Sequence, residues 1–463
     1  MLYTAVKTNC KERMQNIMKI KVILIGAGNR GAAYTDIMAG MSEKFEVVAV
    51  AEPIESRRNY IKDKHGIPEQ MCFTTGEELL ALGKIADAAV IATMDRDHFK
   101  LTMQAISLKY DLLLEKPVSP DPKECQMIAD HANEMGVKVV VCHVLRYSPF
   151  FITLKEAILE GKIGDVISIT HEECVGNVHQ SHSFVRGNWG NTERSSVMLL
   201  QKSCHDIDIL QWLIGKKCIK VQSFGSLSYF KKENAPKNSP QYCIEGCPEA
   251  EKCPYNAVKI YLDDKKNDWF RTTCTREANP TDAMVEKALR TTQYGKCVFK
   301  CDNDVVDHQT VNLLYEGGAT VNFNMNAFNK GGRFIHIMGT KGELRGAMDS
   351  SKSPITLFDF ETREMIEIPI KTGDGITNGH GGGDEGIVVS WHDYLSGNYD
   401  GISISDISTS VDNHLTVFAA EKSREDGIVV DVEEYKKILE EEGIIFEANG
   451  TIDLKKYGWR FEE

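Results

Sequence analysis

The chain has 463 residues, of which 54 are Lys or Arg and 67 are Asp or Glu, so its formal net charge is -13 at pH 7. This acidic balance argues against a nucleic acid or an anionic membrane surface as partner, and favours a small-molecule ligand. No apolar stretch approaches the roughly 18 residues of a membrane helix, and the polar start of the chain lacks a signal-peptide core. We therefore expect a cytoplasmic protein.

The length predicts two or three domains, at a prior of about 150 residues per domain. Because the first strand-like run begins at Ile20, residues 1–19 are interpreted as an N-terminal extension. Residues 20–148 are predicted to form a cofactor-binding domain and residues 149–425 a second α/β domain. Residues 426–463 are charged and are interpreted as a peripheral C-terminal tail.

The first domain alternates short apolar runs with helix-like stretches, which is typical of a doubly wound parallel sheet, a Rossmann fold, covered on both faces. The runs are Val22–Ile25, Val47–Val50, Ala88–Ala92, Leu112–Leu114 and Val137–Val141.

The second domain is predicted to contain a large open, mainly antiparallel sheet. Its longer strand-like runs are Val166–His171, Val221–Tyr229, Val311–Tyr315 and Thr320–Ala327. In the last of these, apolar residues alternate with asparagines, so one face belongs to the core and the other is polar. The polar face suits solvent, a subunit contact or the floor of a substrate site.

A G-x-G-x-x-G motif at Gly26, Gly28 and Gly31 follows the first apolar run directly. In a strand-loop-helix context the first glycine allows a sharp turn, the second a close approach of pyrophosphate, and the third close packing of the helix. The amides at the start of that helix favour a phosphate.

The second apolar run ends at Glu52, where a carboxylate meets the ribose hydroxyls of NAD. An acidic group there disfavours the extra phosphate of NADP. Arg57 and Arg58 follow shortly after, so NADP stays possible.

Glu115-Lys116-Pro117 follows the strand Asp111–Leu114, which places an ammonium at the carboxyl edge of the sheet, where doubly wound folds bind ligands. A surface lysine in a proline turn is the alternative interpretation.

An apolar stripe at Ile207, Leu210 and Ile214, ended by Gly215, predicts a helix with His205 in its first turn. There the helix dipole disfavours imidazolium, so His205 is expected to be neutral and able to accept a proton near pH 7. Oxidation of an alcohol by a nicotinamide needs such a base.

The ordered motifs G-x-G-x-R-G, Glu52, Ala92-Thr93 with Asp97-His98, Glu115-Lys116-Pro117, and His205 with Asp208 resemble the glucose-fructose oxidoreductase / inositol dehydrogenase / MocA family. The resemblance implies a Rossmann domain followed by an α/β domain with a large open sheet. It also implies oxidation of a hydroxyl on a sugar, glycoside or cyclitol with NAD or NADP, and a homodimer or homotetramer.

By resemblance, Lys116 orients and polarises the reacting hydroxyl and His205 is its general base. Cofactor contacts are implied at Gly26, Gly28, Asn29, Arg30, Gly31, Glu52, Thr93, His98, Glu115, Lys116 and Arg146.

One departure concerns Gln201, since many sugar dehydrogenases of the family carry Asp four residues before the histidine. A glutamine holds a hydroxyl by hydrogen bonds but does not take its proton. Either His205 works with Lys116 alone, or Lys202 or Asp208 contributes, or the reaction is not a simple dehydrogenation.

Further candidates for substrate binding are Arg186 and Trp189 in one loop, together with Gln201, Asp208 and, in a Gly-rich segment, His380. An indole stacks on a pyranose face and a guanidinium binds hydroxyls, whereas a purely structural loop is the alternative.

Six of the 13 cysteines lie between Cys243 and Cys301, within a stretch at about 235–305 that we interpret as an insertion. Cys243, Cys247, Cys253 and Cys274 are candidate ligands of a structural zinc ion, and reduced thiols are the alternative.

Three functions compete. The first is an NAD(P)-dependent dehydrogenase of a sugar, glycoside or cyclitol. The second is a glycoside hydrolase or lyase that reduces and reoxidises tightly bound NAD within one turnover. The third is a non-catalytic sensor of NAD or sugar.

Overall fold

The structure is a computed structural model that describes residues 18–266, 268–349, 353–370 and 380–441. Most of the predicted N-terminal extension, residues 1–17, and part of the predicted tail, residues 442–463, lie outside the described ranges. Within those ranges, no helix combines the length and the apolarity that crossing a bilayer requires.

The first domain is a six-stranded parallel sheet with the strand order β3-β2-β1-β4-β5-β6. Its strands are β1 (Ile20–Ile25), β2 (Phe45–Ala51), β3 (Cys72–Phe73), β4 (Ala88–Ile91), β5 (Asp111–Leu114) and β6 (Val139–Val141). Its helices are α1 (Asn29–Ala39), α2 (Glu55–His65), α3 (Gly76–Leu80), α4 (Asp95–Ser107) and α5 (Pro122–Met135). The order reverses between β1 and β4, and ligands of doubly wound sheets bind at the carboxyl ends beside such a reversal.

The second domain contains a nine-stranded sheet with the order β14-β13-β12-β11-β7-β10-β9-β8-β15. Its strands are β7 (Val166–Cys174), β8 (Cys218–Ser226), β9 (His308–Tyr315), β10 (Thr320–Asn326), β11 (Gly332–Gly339), β12 (Gly342–Met348), β13 (Ile355–Asp359), β14 (Met365–Ile368) and β15 (Val430–Asp431). The remaining helices are α6 (Pro149–Leu159), α7 (Asn177–His179), α8 (Met198–Ile214), α9 (Asp268–Thr275), α10 (Asp282–Thr291), α11 (Gly383–Leu395), α12 (Ile407–Asp426) and α13 (Val432–Glu441).

The large sheet confirms the predicted open, mainly antiparallel architecture, with one exception. Strands β7 and β10 pair in parallel, while the other strand pairs of this sheet are antiparallel. Helix α8 contributes a row of buried apolar residues to the core that includes Phe323 and Ile337 of the sheet. The other face carries the asparagine row, in which Asn322 donates to Asn312 at 2.9 Å.

Helices near the chain end join the two domains. Trp391 of α11 is fully buried in the core that β1 and β2 also form, and Ile407 and Val411 of α12 enter the core beneath β5 and α5. Asp406 caps α12 by accepting the amide of Thr409 at 3.0 Å. The cleft between the domains is therefore braced by helices that belong to both.

The predicted insertion packs partly on itself and partly on the rest of the second domain. Its residues form the apolar cluster around Tyr261, and they share the cluster around Phe299 with Val185, Phe230 and Ala327. The interval interpreted as a peripheral tail contains regular structure at the edge of the large sheet. Residues 430–441 form β15 and α13, and Val430 pairs with Val221 at the edge of the large sheet.

Candidate active site

The glycine motif forms the cradle that a pyrophosphate requires. Gly26 has φ of 91°, and a Cβ there would lie 2.6 Å from the oxygen of Ala92, while a Cβ at Gly31 would lie 2.0 Å from the oxygen of Gly26. At Gly28 the nearest atom to such a Cβ is 3.8 Å away, on Arg57, so the loop is open at this residue. Helix α1 begins directly after Gly28 without a side-chain cap, which leaves its first amides for an anion.

Glu52 lies at the carboxyl end of β2, with its carboxylate fixed by main-chain amides. It accepts from Ala27 at 2.7 Å and from Ile54 at 3.0 Å. The carboxylate is thereby held beside the glycine loop, where the ribose hydroxyls of a dinucleotide require an acceptor. The loop and this carboxylate together fit a bound NAD.

Arg30 joins the first domain to helix α11. Its guanidinium bonds Glu115 at 2.9 Å and Asp384 at 2.7 and 3.0 Å, and Tyr34 also donates to Glu115 at 2.6 Å. Burial alone would raise the pKa of Glu115, but the charges of Arg30 and Lys116 hold it below the usual value. Glu115 is therefore an ionised support of the turn that carries Lys116.

Lys116 lies just beyond the carboxyl end of β5, as the sequence predicted. The peptide bond between Lys116 and Pro117 is cis. Its Nζ donates to the main-chain oxygen of Gln201 at 2.6 Å. Two donors of the ammonium remain after that bond. The side chain lines the same cleft as His205.

His205 lies in the middle of α8, which corrects the expected position in the first turn. The helix begins at Met198, and the preceding residue, Val197, has an apolar side chain that cannot cap it. Because no polar capping residue marks this start in the sequence, the helix begins earlier than predicted. The dipole argument therefore does not apply. Burial is the largest cause that holds the pKa of His205 well below 6.5, and the nearby charge of Lys116 adds to it. The predicted neutral base is obtained by a different physical route.

The rings around His205 place it in a histidine cluster. The ring centres of His143 and His380 lie 5.8 and 6.0 Å from that of His205. His380 is held by Asp384, with Nδ1 3.0 Å from a carboxylate oxygen. His380, a predicted substrate-binding residue, therefore lines the cleft, and it is held there by Asp384, the carboxylate that also binds Arg30.

The cleft between the domains encloses about 520 Å³, which is within the range of roughly 300–1,000 Å³ for small-molecule sites. Of the predicted site residues, the structure brings nine to its wall: Asn29, Arg30, Thr93, Glu115, Lys116, Trp189, Gln201, His205 and His380.

Arg146 and Asp208 are paired with each other and do not line this cleft. Two guanidinium nitrogens of Arg146 bond the two carboxylate oxygens of Asp208 at 2.7 Å each, and Asn413 donates to Asp208 at 2.7 Å. Both side chains are buried. The expected contacts of Arg146 with the cofactor and of Asp208 with the substrate are therefore corrected: the pair fixes α8 against the turn that follows β6.

His98 is also behind the cleft wall. Its Nδ1 lies 2.7 Å from the oxygen of Pro117 and its Nε2 lies 3.3 Å from the oxygen of Thr93. The ring connects the ends of β4 and β5, so it positions Thr93 and Lys116 instead of lining the site itself.

Gln201, the departure from the family pattern, is hydrogen-bonded to a buried carboxylate, that of Asp95. The amide of Gln201 donates to the carboxylate of Asp95 and, at 2.9 Å, to Ser196. Both Gln201 and Asp95 line the cleft. A carboxylate therefore stands beside the glutamine, although it comes from the start of α4.

Arg186, like Asp208, is a predicted substrate residue that the structure places away from the cleft. It is 1% exposed and donates to the main-chain oxygens of Lys296 and Tyr255 at 2.8 and 2.6 Å. The guanidinium is therefore a buried tie between its loop and the insertion, and the expectation that it binds substrate is corrected. Trp189, three residues on, does face the cleft.

The zinc prediction is not supported. Cys243, Cys247 and Cys253 surround one small cavity, but Cys274 is buried in the separate apolar cluster around Tyr261. Among the described residues, no group of three or more His, Cys, Asp or Glu side chains is arranged to hold a metal ion, and the described cysteines form no disulfide. Arg186 donates toward the sulfur of Cys243 at 3.7 Å, and a fixed cation there disfavours a second one.

Several residues of the cleft were not among the predicted substrate or cofactor residues: Asp95, His179, Trp269, Arg333 and Asp384. Asp384 stands in the Gly-rich segment that was noted for His380, and Asp95 follows Thr93 closely, so both had a local signal. Trp269 comes from α9 of the insertion and Arg333 from β11, and no local pattern connects them with the motif residues.

Family models match both domains. The model described as "Oxidoreductase family, NAD-binding Rossmann fold" matches residues 20–143, and the model described as "Oxidoreductase family, C-terminal alpha/beta domain" matches residues 155–432. The YteT protein of Bacillus subtilis (strain 168) is 25% identical over 66% of this chain and 72% of its own length. Inositol 2-dehydrogenase 1 of Saccharopolyspora erythraea is 24% identical over 44% of this chain, and the match spans only 57% of that relative.

Solved structures share the fold. Scyllo-inositol dehydrogenase from Lactobacillus casei, solved with NAD(H) and scyllo-inositol, superposes with a TM-score of 0.60 at 17% identity over 90% of this chain and 100% of that one. An oxidoreductase from Agrobacterium radiobacter has a TM-score of 0.64 at 15% identity over 90% of this chain and 99% of that one. With both domains matched and the cofactor cradle in place, this chain belongs to the glucose-fructose oxidoreductase / inositol dehydrogenase / MocA family of NAD-dependent oxidoreductases.

Proposed function

We propose that the protein oxidises a secondary hydroxyl of a sugar, glycoside or cyclitol, with NAD as hydride acceptor. The observation that carries this proposal is the convergence of Lys116 and His205 on one cleft that also contains Asn29 and Arg30 of the glycine loop. An ammonium and a neutral imidazole at one carbinol provide what alcohol oxidation needs from a protein.

Each of the polar and aromatic side chains of the cleft has a separate role in the proposed oxidation. The glycine loop and Glu52 would hold NAD, which would supply the hydride acceptor for oxidation of the carbinol carbon. Lys116 has two donors left for the substrate oxygen, on which it stabilises negative charge. His205 takes the hydroxyl proton, because its lowered pKa leaves it unprotonated at neutral pH. The wall formed by Trp189 and Trp269 provides flat apolar surfaces on which a ring stacks.

The cofactor preference follows from Glu52. Its fixed carboxylate offers acceptors to two ribose hydroxyls and repels a phosphate at the same place. Arg57 lies near Gly28 and is the residue from which weaker use of NADP would come. A homo-oligomer stays a prediction, and sedimentation equilibrium measures it.

The comparisons support the substrate class. Relatives and structural neighbours of this chain include proteins named inositol dehydrogenases. The chain spans little more than half of these curated relatives, so the individual substrate is not carried over from their names.

The test is a panel of sugars, methyl glycosides and inositols assayed with NAD at 340 nm. We expect net NADH with at least one compound, and loss of that signal in Lys116→Met. Cleavage of a glycoside without net NADH would support the redox-neutral hydrolase instead. Binding without either reaction, unchanged in Lys116→Met, would support the sensor.

A further inference from the structure

A pair of cations lies in the cleft one turn from His205. Lys202 precedes His205 by three residues on α8, and Arg333 lies at the start of β11; both line the cleft. Residues three apart on a helix share a face, with Cβ atoms about 5–6 Å apart. The charge of Arg333 is also among those that act on His205. The two cations therefore stand close to the proposed reaction centre.

Both cations are anchored from behind by buried carboxylates. Glu173 of β7, the register partner of Arg333, lies 3.2 Å from the Lys202 ammonium and 2.7 Å from Nε of Arg333. Nε of Arg333 also donates to Asp206 at 2.8 Å. Neither Glu173 nor Asp206 lines the cleft, so the acceptors are behind the cations and the donors are in front.

Most donors of this pair are unused. In the described part of the chain, the terminal nitrogens of Arg333 make no hydrogen bond, and the ammonium of Lys202 has only its ion pair with Glu173. Arginine and lysine carry donors and no acceptor. A sugar hydroxyl both donates and accepts, whereas a carboxylate only accepts, and it matches the planar fork of a guanidinium with two parallel bonds.

The other charges of the cleft do not offer an equivalent place. Arg30 is shared by Glu115 and Asp384, and Asp95 accepts from Ser195 and Gln201. Lys116 is assigned to the reacting hydroxyl. Among the described charged residues of the cleft, Lys202 and Arg333 are therefore the pair that offers an anionic group of the substrate an open position.

We infer that Lys202 and Arg333 bind a carboxylate of the substrate, so that the preferred substrate is a sugar acid, either a uronic or an aldonic acid. This inference rests on the proposed function and specifies its substrate class. The carboxylate lies on the same side of the carbinol as His205, which places the oxidised hydroxyl near the acid group of the molecule.

The experiment compares matched acids and neutral sugars: D-glucuronate, D-galacturonate and D-gluconate against D-glucose and D-galactose, with D-glucose 6-phosphate included. We expect kcat/KM at least about tenfold higher for an acid than for its neutral partner, and a KM for the acid that rises with salt. Lys202→Gln and Arg333→Lys should each lower kcat/KM for the acid about tenfold, and lower kcat/KM for its neutral partner by a clearly smaller factor. Lys155→Gln is the matched control, because Lys155 is a half-buried lysine bonded at 2.6 Å to the oxygen of Trp212, away from the cleft.

Calorimetric binding of the acid to the protein with NADH present separates the two proposals. Loss of binding in Lys202→Gln without turnover of any compound would keep the carboxylate site and reject the dehydrogenase. Equal turnover of acids and neutral sugars, preference for the phosphate, or an acid preference untouched by both variants would overturn the inference while the proposed function stands.

Discussion

Nζ of Lys116 donates to the main-chain oxygen of Gln201 at 2.6 Å. In an α-helix that oxygen also accepts the amide four residues on, which here belongs to His205. The ammonium of Lys116 and the main-chain amide of His205 therefore share one carbonyl oxygen as their acceptor. His205 lies within α8 and Lys116 lies in the turn just after β5, so their separation depends on how that turn is held against the helix.

His205→Asn tests the assignment of the general base. We expect kcat/KM to fall about 10²- to 10⁴-fold, the usual contribution of such a group, with the Kd for NAD within twofold of the original. His131→Asn is the control, because His131 lies on α5 beside Ser107, away from the cleft. A loss below tenfold would remove His205 from the mechanism.

The lowered pKa of His205 sets the acid limb of the pH profile. Burial and the charge of Lys116 move that pKa well below 6.5, so the free base persists as the pH falls to 6. We expect kcat/KM to stay level between pH 6 and 7.5 and to decline only in more acidic buffer, measured in buffers of constant ionic strength. An acid limb with its midpoint at pH 6.5 or above would contradict this prediction, because it would show that the pKa of the base is not lowered.

Local patterns predicted the parts of the site that one short segment encodes. The glycine loop, Glu52 and Glu115-Lys116-Pro117 each follow a strand, so the order of strands placed them at one sheet edge. The convergence of Lys116 with His205 came from the resemblance, because their distance depends on how two domains pack.

The sequence could not predict the carboxylates and cations that come from distant elements. Asp384 pairs with Arg30 across 354 positions of the chain, and Arg333 meets Glu173 through the register of β11 on β7. Arg146 and Asp208 look like ligand residues in sequence, but their mutual ion pair removes them from the cleft. Such pairings are decided by tertiary packing, which leaves no periodic signal.

The ion pair between Arg30 and Glu115 predicts that substitutions of these two residues have non-additive effects on the free energy of unfolding. Arg30→Met leaves Glu115 buried with only Tyr34 and main-chain donors, so we expect a loss of about 2–3 kcal/mol in the free energy of unfolding by urea. Adding Glu115→Gln removes the unpaired charge and should restore part of the loss. Additive effects of the two changes would show that the bond at 2.9 Å contributes no coupling.

Two glycines of the motif should fail in different ways. Gly28→Ala meets no protein atom closer than 3.8 Å, so the protein should fold normally and bind NAD at least about tenfold more weakly, because the methyl group occupies the approach of the pyrophosphate. Gly31→Ala places its Cβ 2.0 Å from the oxygen of Gly26 and should lower stability. Thermal unfolding without NAD and titration with NAD separate the two effects. Normal NAD binding by Gly28→Ala would place the cofactor elsewhere.

His414 predicts a pH dependence of stability. Its Nδ1 lies 2.7 Å from the oxygen of Ser410, and its Nε2 accepts the amide of Val118 at 3.0 Å, so the neutral ring fits and a second ring proton does not. Burial lowers the pKa of His414 to about 3, from 6.5. Between pH 3 and pH 6.5 the imidazole of His414 is therefore protonated in the unfolded chain and neutral in the folded chain. The contribution of His414 to the free energy of unfolding is therefore fully present above pH 6.5. It is lost as the pH falls toward 3, at about 1.4 kcal/mol per pH unit.

His414→Gln keeps an acceptor for Val118 and removes the titration. Urea unfolding between pH 4 and 6 should then show a slope smaller by about 1.4 kcal/mol per pH unit than in the original chain. His182, whose pKa burial also lowers to about 3, offers an independent second variant, because it bonds Tyr261 at 2.8 Å within the insertion contact. His182→Gln should reduce the slope by the same amount, and the double variant by the sum, since distant sites add. An unchanged slope in His414→Gln would mean that the ring binds its proton equally in the folded and unfolded chains, so that the Val118 bond would have to break between pH 4 and 6.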